Sequence, residues 1–279
     1  MRIRKVSGSL KESISIESRH LARTVDVDCY LPTPVNNPAS MSLLLINDGQ
    51  NMNQLGLATM LDQLRSDNQI SPLLCVAIHA GDRFMEYGTA GRLDYKGRGS
   101  KARLYSWFII DELIPLIQST YRIHSFREKS FAGFSLGALS ALDIVWNYPQ
   151  DFTRAGVFSG SLWWRTTGLQ EGYNEDTDRI MHAQIRKGKY VKGLKFFFQT
   201  GALDEVMDRN NNGIIDSIDD TLGLIDELVK KGFHAKKDIQ YVELQDGRHD
   251  VATWAEVMPD FLTWGWGVKA ADSQIIVSR

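Results

Sequence analysis

The residues best suited to chemistry in this chain are Ser135 and its neighbours, Gly133-Phe-Ser-Leu-Gly137. A G-x-S-x-G spacing suits a serine held on a tight, strained turn between a strand and a helix. The flanking glycines remove Cβ atoms that would collide there, and the turn pushes the hydroxyl out at the carboxyl end of the strand. The chemistry on offer is nucleophilic attack on an acyl carbon. A serine hydroxyl is a weak nucleophile until an imidazole takes its proton and a carboxylate orients that imidazole. The oxyanion that forms needs two preorganised N–H donors. Leu136, next after the serine, supplies one. The turn Asn47-Asp-Gly-Gln-Asn51 offers the second through the backbone N–H of Gln50, with Asn51 as the alternative. Against this stands the plainer reading of both motifs as ordinary glycine turns.

A strained serine turn needs a strand before it, a helix after it, and a sheet to hold both. Short, continuous apolar runs at residues 42–46, 73–78, 130–134, 155–158, 194–198 and 239–244 read as parallel strands covered on both faces. Helical patterns at residues 55–65, 101–121, 136–147, 219–231 and 251–264 separate most of them. Such alternation implies right-handed βαβ units in a mainly parallel, twisted sheet with helices on both faces. Two stretches come first, at residues 13–17 and 24–31. They alternate polar and apolar residues and read as half-exposed, antiparallel strands. No linker composition interrupts the chain, so residues 1–279 read as one domain. The long connection at residues 161–192 is expected to hold a helix near 178–185 and to cap the ligand edge of the sheet.

Composition narrows the function classes. The 279 residues are 43% hydrophobic and 24% charged, with a formal net charge of −2. No strong positive field is available to attract phosphates, so neither nucleic acid nor an anionic membrane is an expected partner. No segment approaches the ~20 apolar residues of a spanning helix. The basic N-terminus has no apolar run behind it, so a cytoplasmic location is the expectation. Cys29 and Cys75 lie in strand-like, apolar contexts and are expected to be buried free thiols. Oligomeric state stays open.

The parallel pattern selects among six histidines. In the α/β-hydrolase fold the chain order is serine, acid, histidine. His20, His79 and His124 precede Ser135. His182 lies in the capping connection, and His234 precedes the last strand. His249 follows that strand, at the same carboxyl edge as Ser135. The acid is expected at the end of the preceding strand, at Asp204, with Glu205 and Asp208 as neighbours of similar reach. With these residues placed, the chain resembles the esterase family that includes esterase D, the enterochelin-type siderophore esterases, feruloyl and acetyl esterase domains and the mycolyltransferases. The resemblance covers roughly residues 20–266. Its further blocks are Asn47-Asp-Gly-Gln-Asn51, Arg83-Phe-Met-Glu-Tyr87, Phe108-Ile-Ile-Asp-Glu-Leu-Ile-Pro115, Ser159-Gly-Ser-Leu-Trp-Trp164 and Gly247-Arg-His-Asp250. Ala138 stands where the family often has a second glycine. The resemblance implies hydrolysis of a small-molecule ester (plain, sugar-linked or siderophore-type) by two-step acyl transfer, with no cofactor required. An acyltransferase using the same triad is the alternative.

Three further readings concern substrate and metal. Trp163 and Trp164 are expected either to wall the substrate pocket or to pack in the core. Arg83 is expected either to bind an anionic substrate or to pair with Glu86. Residues 208–219 match a twelve-residue Ca²⁺ loop, with Asp208, Asn210, Asn212, Asp216 and Asp219 at positions 1, 3, 5, 9 and 12. The Ile214 carbonyl falls at position 7 and Gly213 at position 6, and Asp replaces the usual Glu at the end. Such a site would be structural. The alternative is an Asn/Asp-rich turn leading into a helix, with no metal.

Overall fold

The computed structural model describes residues 2–6, 9–32 and 40–268. Among these, nine strands form one sheet: β1 (Arg2–Val6), β2 (Ser9–Ser18), β3 (Arg23–Leu31), β4 (Ser42–Asn47), β5 (Leu73–Ile78), β6 (Lys129–Phe134), β7 (Arg154–Phe158), β8 (Lys195–Leu203) and β9 (Ile239–Arg248). Their order is β1-β2-β3-β5-β4-β6-β7-β8-β9. The first three strands and the β3–β5 pair are antiparallel, and every pair from β5 through β4 to β9 is parallel. This is the expected α/β-hydrolase architecture. β1 is an addition to the sequence reading, and β9 runs four residues further than the apolar pattern at residues 239–244.

The helices are α1 (Met52–Leu55), α2 (Leu57–Ser66), α3 (Arg83–Glu86), α4 (Ala102–Trp107), α5 (Ile114–Tyr121), α6 (Leu136–Asn147), α7 (Glu175–Asp178), α8 (Ile180–Lys187), α9 (Asp216–Lys231) and α10 (Val251–Trp266). A π-helical segment, Phe108–Leu113, joins α4 to α5. The strand periodicity explains the layers. Alternate side chains point to opposite faces. Leu43, Leu45, Val76, Phe131, Phe196 and Phe198 therefore meet α4–α6, α8 and α9 on one face. Leu44, Ile46, Cys75, Phe134 and Phe197 meet α1, α2 and α10 on the other. Runs buried on both faces are what an apolar sequence without alternation produces. Cys29 and Cys75 are buried free thiols on opposite faces, as expected.

The β7–β8 connection carries α7 and α8. Ile180, Met181 and Ile185 of α8 are buried in the same core cluster as Leu224 and Leu228 of α9. The start of this connection, Ser159–Trp164, runs beside the serine turn. Among the described residues, no helix is long and apolar enough to cross a membrane.

Candidate active site

Ser135 ends β6 and starts α6 with φ 54° and ψ −121°. This conformation is strained for any residue with a Cβ. It persists because β6 and α6 meet across glycines. A Cβ on Gly133 would lie 2.4 Å from the carbonyl of Gly137, and one on Gly137 would lie 2.6 Å from the carboxylate of Asp48. Leu136 opens α6, where an N–H has no acceptor within the helix and can serve an oxyanion.

The second donor loop is fastened directly to this elbow. Asn47 donates from Nδ2 to Gly137 O at 2.7 Å. Its Oδ1 accepts the hydroxyl of buried Tyr105. Asp48 adopts φ 62°, which turns the chain into Gly49–Asn51. A Cβ on Gly49 would lie 2.8 Å from the backbone of Ala77. Gln50 ties the loop down through Oε1, which accepts Ala80 N–H at 3.1 Å. The N–H of Asn51 donates to Asp48 O at 2.9 Å. That bond occupies the N–H of Asn51, the alternative donor.

His249 and Asp204 line one cleft of about 220 Å³, with Trp163 and Glu205 among its other walls. Both reach it from strand ends. Asp204 follows β8, and His249 follows β9. Gly201 and Gly247 let those ends close, since a Cβ on Gly201 would lie 2.4 Å from the Gly247 carbonyl. A register shift after Gly201 brings Leu203 opposite Arg248, so Asp204 and His249 emerge side by side. Both carboxylate oxygens of Asp204 are shielded from solvent. Burial pushes this carboxyl up, while the Gly201 and Ser159 groups and the charge of His249 pull it down. Partial burial pushes His249 down, opposed by Asp204 and reinforced by the cation of Arg83. His249 is exposed as a residue, and its ring packs perpendicular to that of Trp254 with centroids 5.5 Å apart.

The hydroxyl of Ser135 is 3.3 Å from that of Ser161, and among the described residues no hydrogen bond joins it to His249. Ser161 is buried and donates its backbone N–H to Ser135 O at 3.1 Å. Ser159 has φ 43°, and its hydroxyl accepts Trp254 Nε1–H at 3.0 Å. Neither serine stood out as a site residue in the sequence, although the Ser-Gly-Ser spacing directly after β7 was the available signal.

The expectations for substrate residues divide. Trp163 is half-buried in the cleft wall, whereas Trp164 is fully buried. Trp164 packs so closely on Gly88 that a Cβ there would lie 2.7 Å from its ring. It is a core residue. Arg83 does not pair with Glu86. It grips buried Asp48 with two hydrogen bonds, of 2.8 and 3.2 Å, and Arg23 takes Glu86 with two more. Arg83 therefore braces the loop Asn47–Asn51.

The loop at residues 208–219 is closed by its own groups. Asp208 accepts the N–H groups of Asn212 and Gly213, Asn210 also accepts that of Asn212, and Asn212 accepts that of Ile214. The amide of Asn212 reaches Asp219 at 3.1 Å. Arg209 turns inward and contacts Asp216, Asp219, Asp220 and Glu175. Asp216 and Asp219 are thus held by a guanidinium. Among the described residues, no group of three or more His, Cys, Asp or Glu is placed to hold a metal ion.

Comparison with known proteins follows the same lines. The family model described as Putative esterase matches residues 18–264. A Bacillus subtilis (strain 168) relative, the uncharacterized protein YjcH, is 23% identical over 239 residues, covering 85% of this chain and 89% of its own. The enterobactin esterase of Shigella flexneri superposes with a TM-score of 0.70 at 20% identity, over 91% of this chain. This chain spans only 57% of that protein's length. The siderophore hydrolase EstB of Aspergillus nidulans superposes with a TM-score of 0.66 at 15% identity, over 94% of this chain and 97% of its own. At such identities the superpositions speak for the fold, and the family match covers nearly the whole chain. The chain belongs to the Putative esterase family and has the α/β-hydrolase fold.

Proposed function

We propose that this enzyme cleaves small-molecule esters through a Ser135–His249–Asp204 triad and an acyl-enzyme. The observation that carries the reading is the placement of Asp204 and His249 in one cleft, at the sheet edge where strained Ser135 also emerges. Burial makes the charge of Asp204 unfavourable by itself. It becomes favourable when the neighbouring imidazole gains a proton, which is the charge that serine attack creates.

In the first step the Ser135 hydroxyl rotates from Ser161 toward His249, gives it the proton and adds to the ester carbonyl. The N–H groups of Leu136 and Gln50 stabilise the oxyanion. His249 then returns the proton to the departing alcohol. Water, activated by the same imidazole, adds to the acyl-enzyme and releases the acid. The exposure of His249 to solvent favours water over an acceptor alcohol at this intermediate. Substrates of the sugar-linked or siderophore type fit the structurally similar proteins, which include an enterobactin esterase, a siderophore hydrolase and a ferulic acid esterase. Trp163 is the aromatic wall available to them.

Ser135→Ala is expected to reduce p-nitrophenyl acetate turnover to background with an unchanged circular dichroism spectrum. A fluorophosphonate should add to Ser135 in the parent protein, read by peptide mass. Full turnover in the Ala variant would sink the proposal.

A further inference from the structure

The cleft shared by His249 and Asp204 has a second set of walls that the triad does not use. Glu205 is half-buried there, and among the described residues no cation pairs with it. The charges acting on its carboxyl are those of Asp216, Asp220 and Asp204, which with burial push it up, while the N–H of Ser217 pulls it down. Ser217 lines the same cleft. Its hydroxyl is buried without a hydrogen-bond partner among the described residues, in a side chain 9% exposed. Trp163 forms the apolar wall, with Arg98 stacked 4.9 Å from its ring.

The nearby cations are already engaged. Arg83 holds Asp48, Arg98 holds Asp94, and Arg209 holds the acidic residues behind the cleft. The residues left to line the cleft are therefore one with an unpaired carboxylate and one with an idle hydroxyl, beside an indole wall. A ligand anion would be repelled there, and a purely apolar group would leave both polar groups unsatisfied. A protonated amine answers both, since its N–H groups donate to Glu205 and to Ser217 Oγ. The methylenes that carry it can lie along Trp163.

The position decides which half of the ester is read. His249 must hand its proton to the departing oxygen, so the leaving alcohol occupies the side of the imidazole. We infer that Glu205, Ser217 and Trp163 form the leaving-group subsite of this enzyme, and that it takes an alcohol bearing a protonated amine. This rests on the esterase reading above and goes further by naming the substrate class.

The test compares three acetate esters of similar length: 5-aminopentyl, 5-hydroxypentyl and hexyl. The parent enzyme should favour the aminopentyl ester over the hexyl ester by about tenfold in kcat/KM, the size of one partly buried charge-assisted contact. In Glu205→Gln that ratio should fall toward one, and in Glu205→Lys it should invert. Equal rates for the aminopentyl and hexyl esters in the parent, or a ratio unmoved by either substitution, overturn the subsite and leave the esterase reading standing. A hydroxypentyl ester that matches or beats the aminopentyl ester overturns the ammonium assignment in favour of a hydroxyl reader. Hydrolysis of none of the three, together with no fluorophosphonate adduct at Ser135, overturns the esterase reading and the subsite with it.

Discussion

The Arg83 guanidinium does two things at once. It pairs with Asp48, whose carboxyl burial pushes up against the pull of this cation, and it presses down the proton affinity of His249. A general base must be neutral to act, so activity rises as pH passes upward through the imidazole pKa. Here that pKa lies below the usual 6.5, first through burial and then through Arg83, with Asp204 opposing both. Removing the Arg83 charge raises it. Arg83→Gln should therefore move the acid limb of the kcat/KM–pH profile to higher pH. It should also lower kcat on the plateau by roughly tenfold or more, because the oxyanion loop loses its brace. An acid limb that stays in place would show that the charge is not felt at His249. Arg83 also marks a boundary of what the sequence reveals. Its partner lies 35 residues upstream across the elbow, while Glu86 stands three residues away and carries the right charge. Local spacing favours the wrong acid because ion pairs are set by the fold. The same holds for the tandem tryptophans: adjacent residues point apart, and composition does not say which one faces the core.

The strand ends owe their positions to glycine contacts between elements. Gly201 and Gly247 touch where β8 and β9 deliver Asp204 and His249. Gly201→Ala would place a methyl 2.4 Å from the Gly247 carbonyl, and 2.9 Å from Asp204 Oδ1. Both strand ends must move apart, at about 1–3 kcal/mol by the usual scale of overpacking. The expected result is a lower urea midpoint and slower fluorophosphonate labelling of Ser135. Gly91→Ala, with nothing within 4 Å of its Cβ, should change neither. Equal effects from the two substitutions would refute the contact argument. These elements differ in how plainly they read. The central strands are legible because a run such as residues 42–46, apolar without alternation, has only a doubly covered strand as its home. The elbow is legible because its glycines lie four apart in the chain. The Gly201–Gly247 contact is not, since 46 residues separate its halves and only the parallel register joins them. β9 extends to Arg248 through polar residues, where pairing with β8, not hydrophobicity, holds the strand.

Across the whole molecule, Arg209 links the β8–α9 loop to α9 and to α7 of the long connection. The spacing of residues 208–219 still supports the proposal of a structural Ca²⁺, which would share Asp219 and Asp216 with this guanidinium. The two views differ in a measurable way. If Ca²⁺ is structural, the Tm of chelator-treated protein should rise by several degrees on adding millimolar Ca²⁺, and Asp208→Ala should abolish the rise. If Arg209 alone closes the loop, Ca²⁺ should leave the Tm unmoved, and Arg209→Gln should lower it. The sequence could pose this question through oxygen spacing but could not show a cation at position 2 turning inward.

The placement of the two thiols has a practical reach. Cys29 and Cys75 are both 0% exposed, on opposite faces of the sheet, and burial raises each to a pKa of about 12. A thiol that is neither ionised nor reachable does not react with maleimides, and two thiols divided by a sheet do not join each other. For site-specific conjugation the folded enzyme therefore behaves as a cysteine-less protein. A single cysteine engineered at the cleft rim would carry a fluorophore alone, so ligand entry beside Glu205 could be followed optically with no native residue removed.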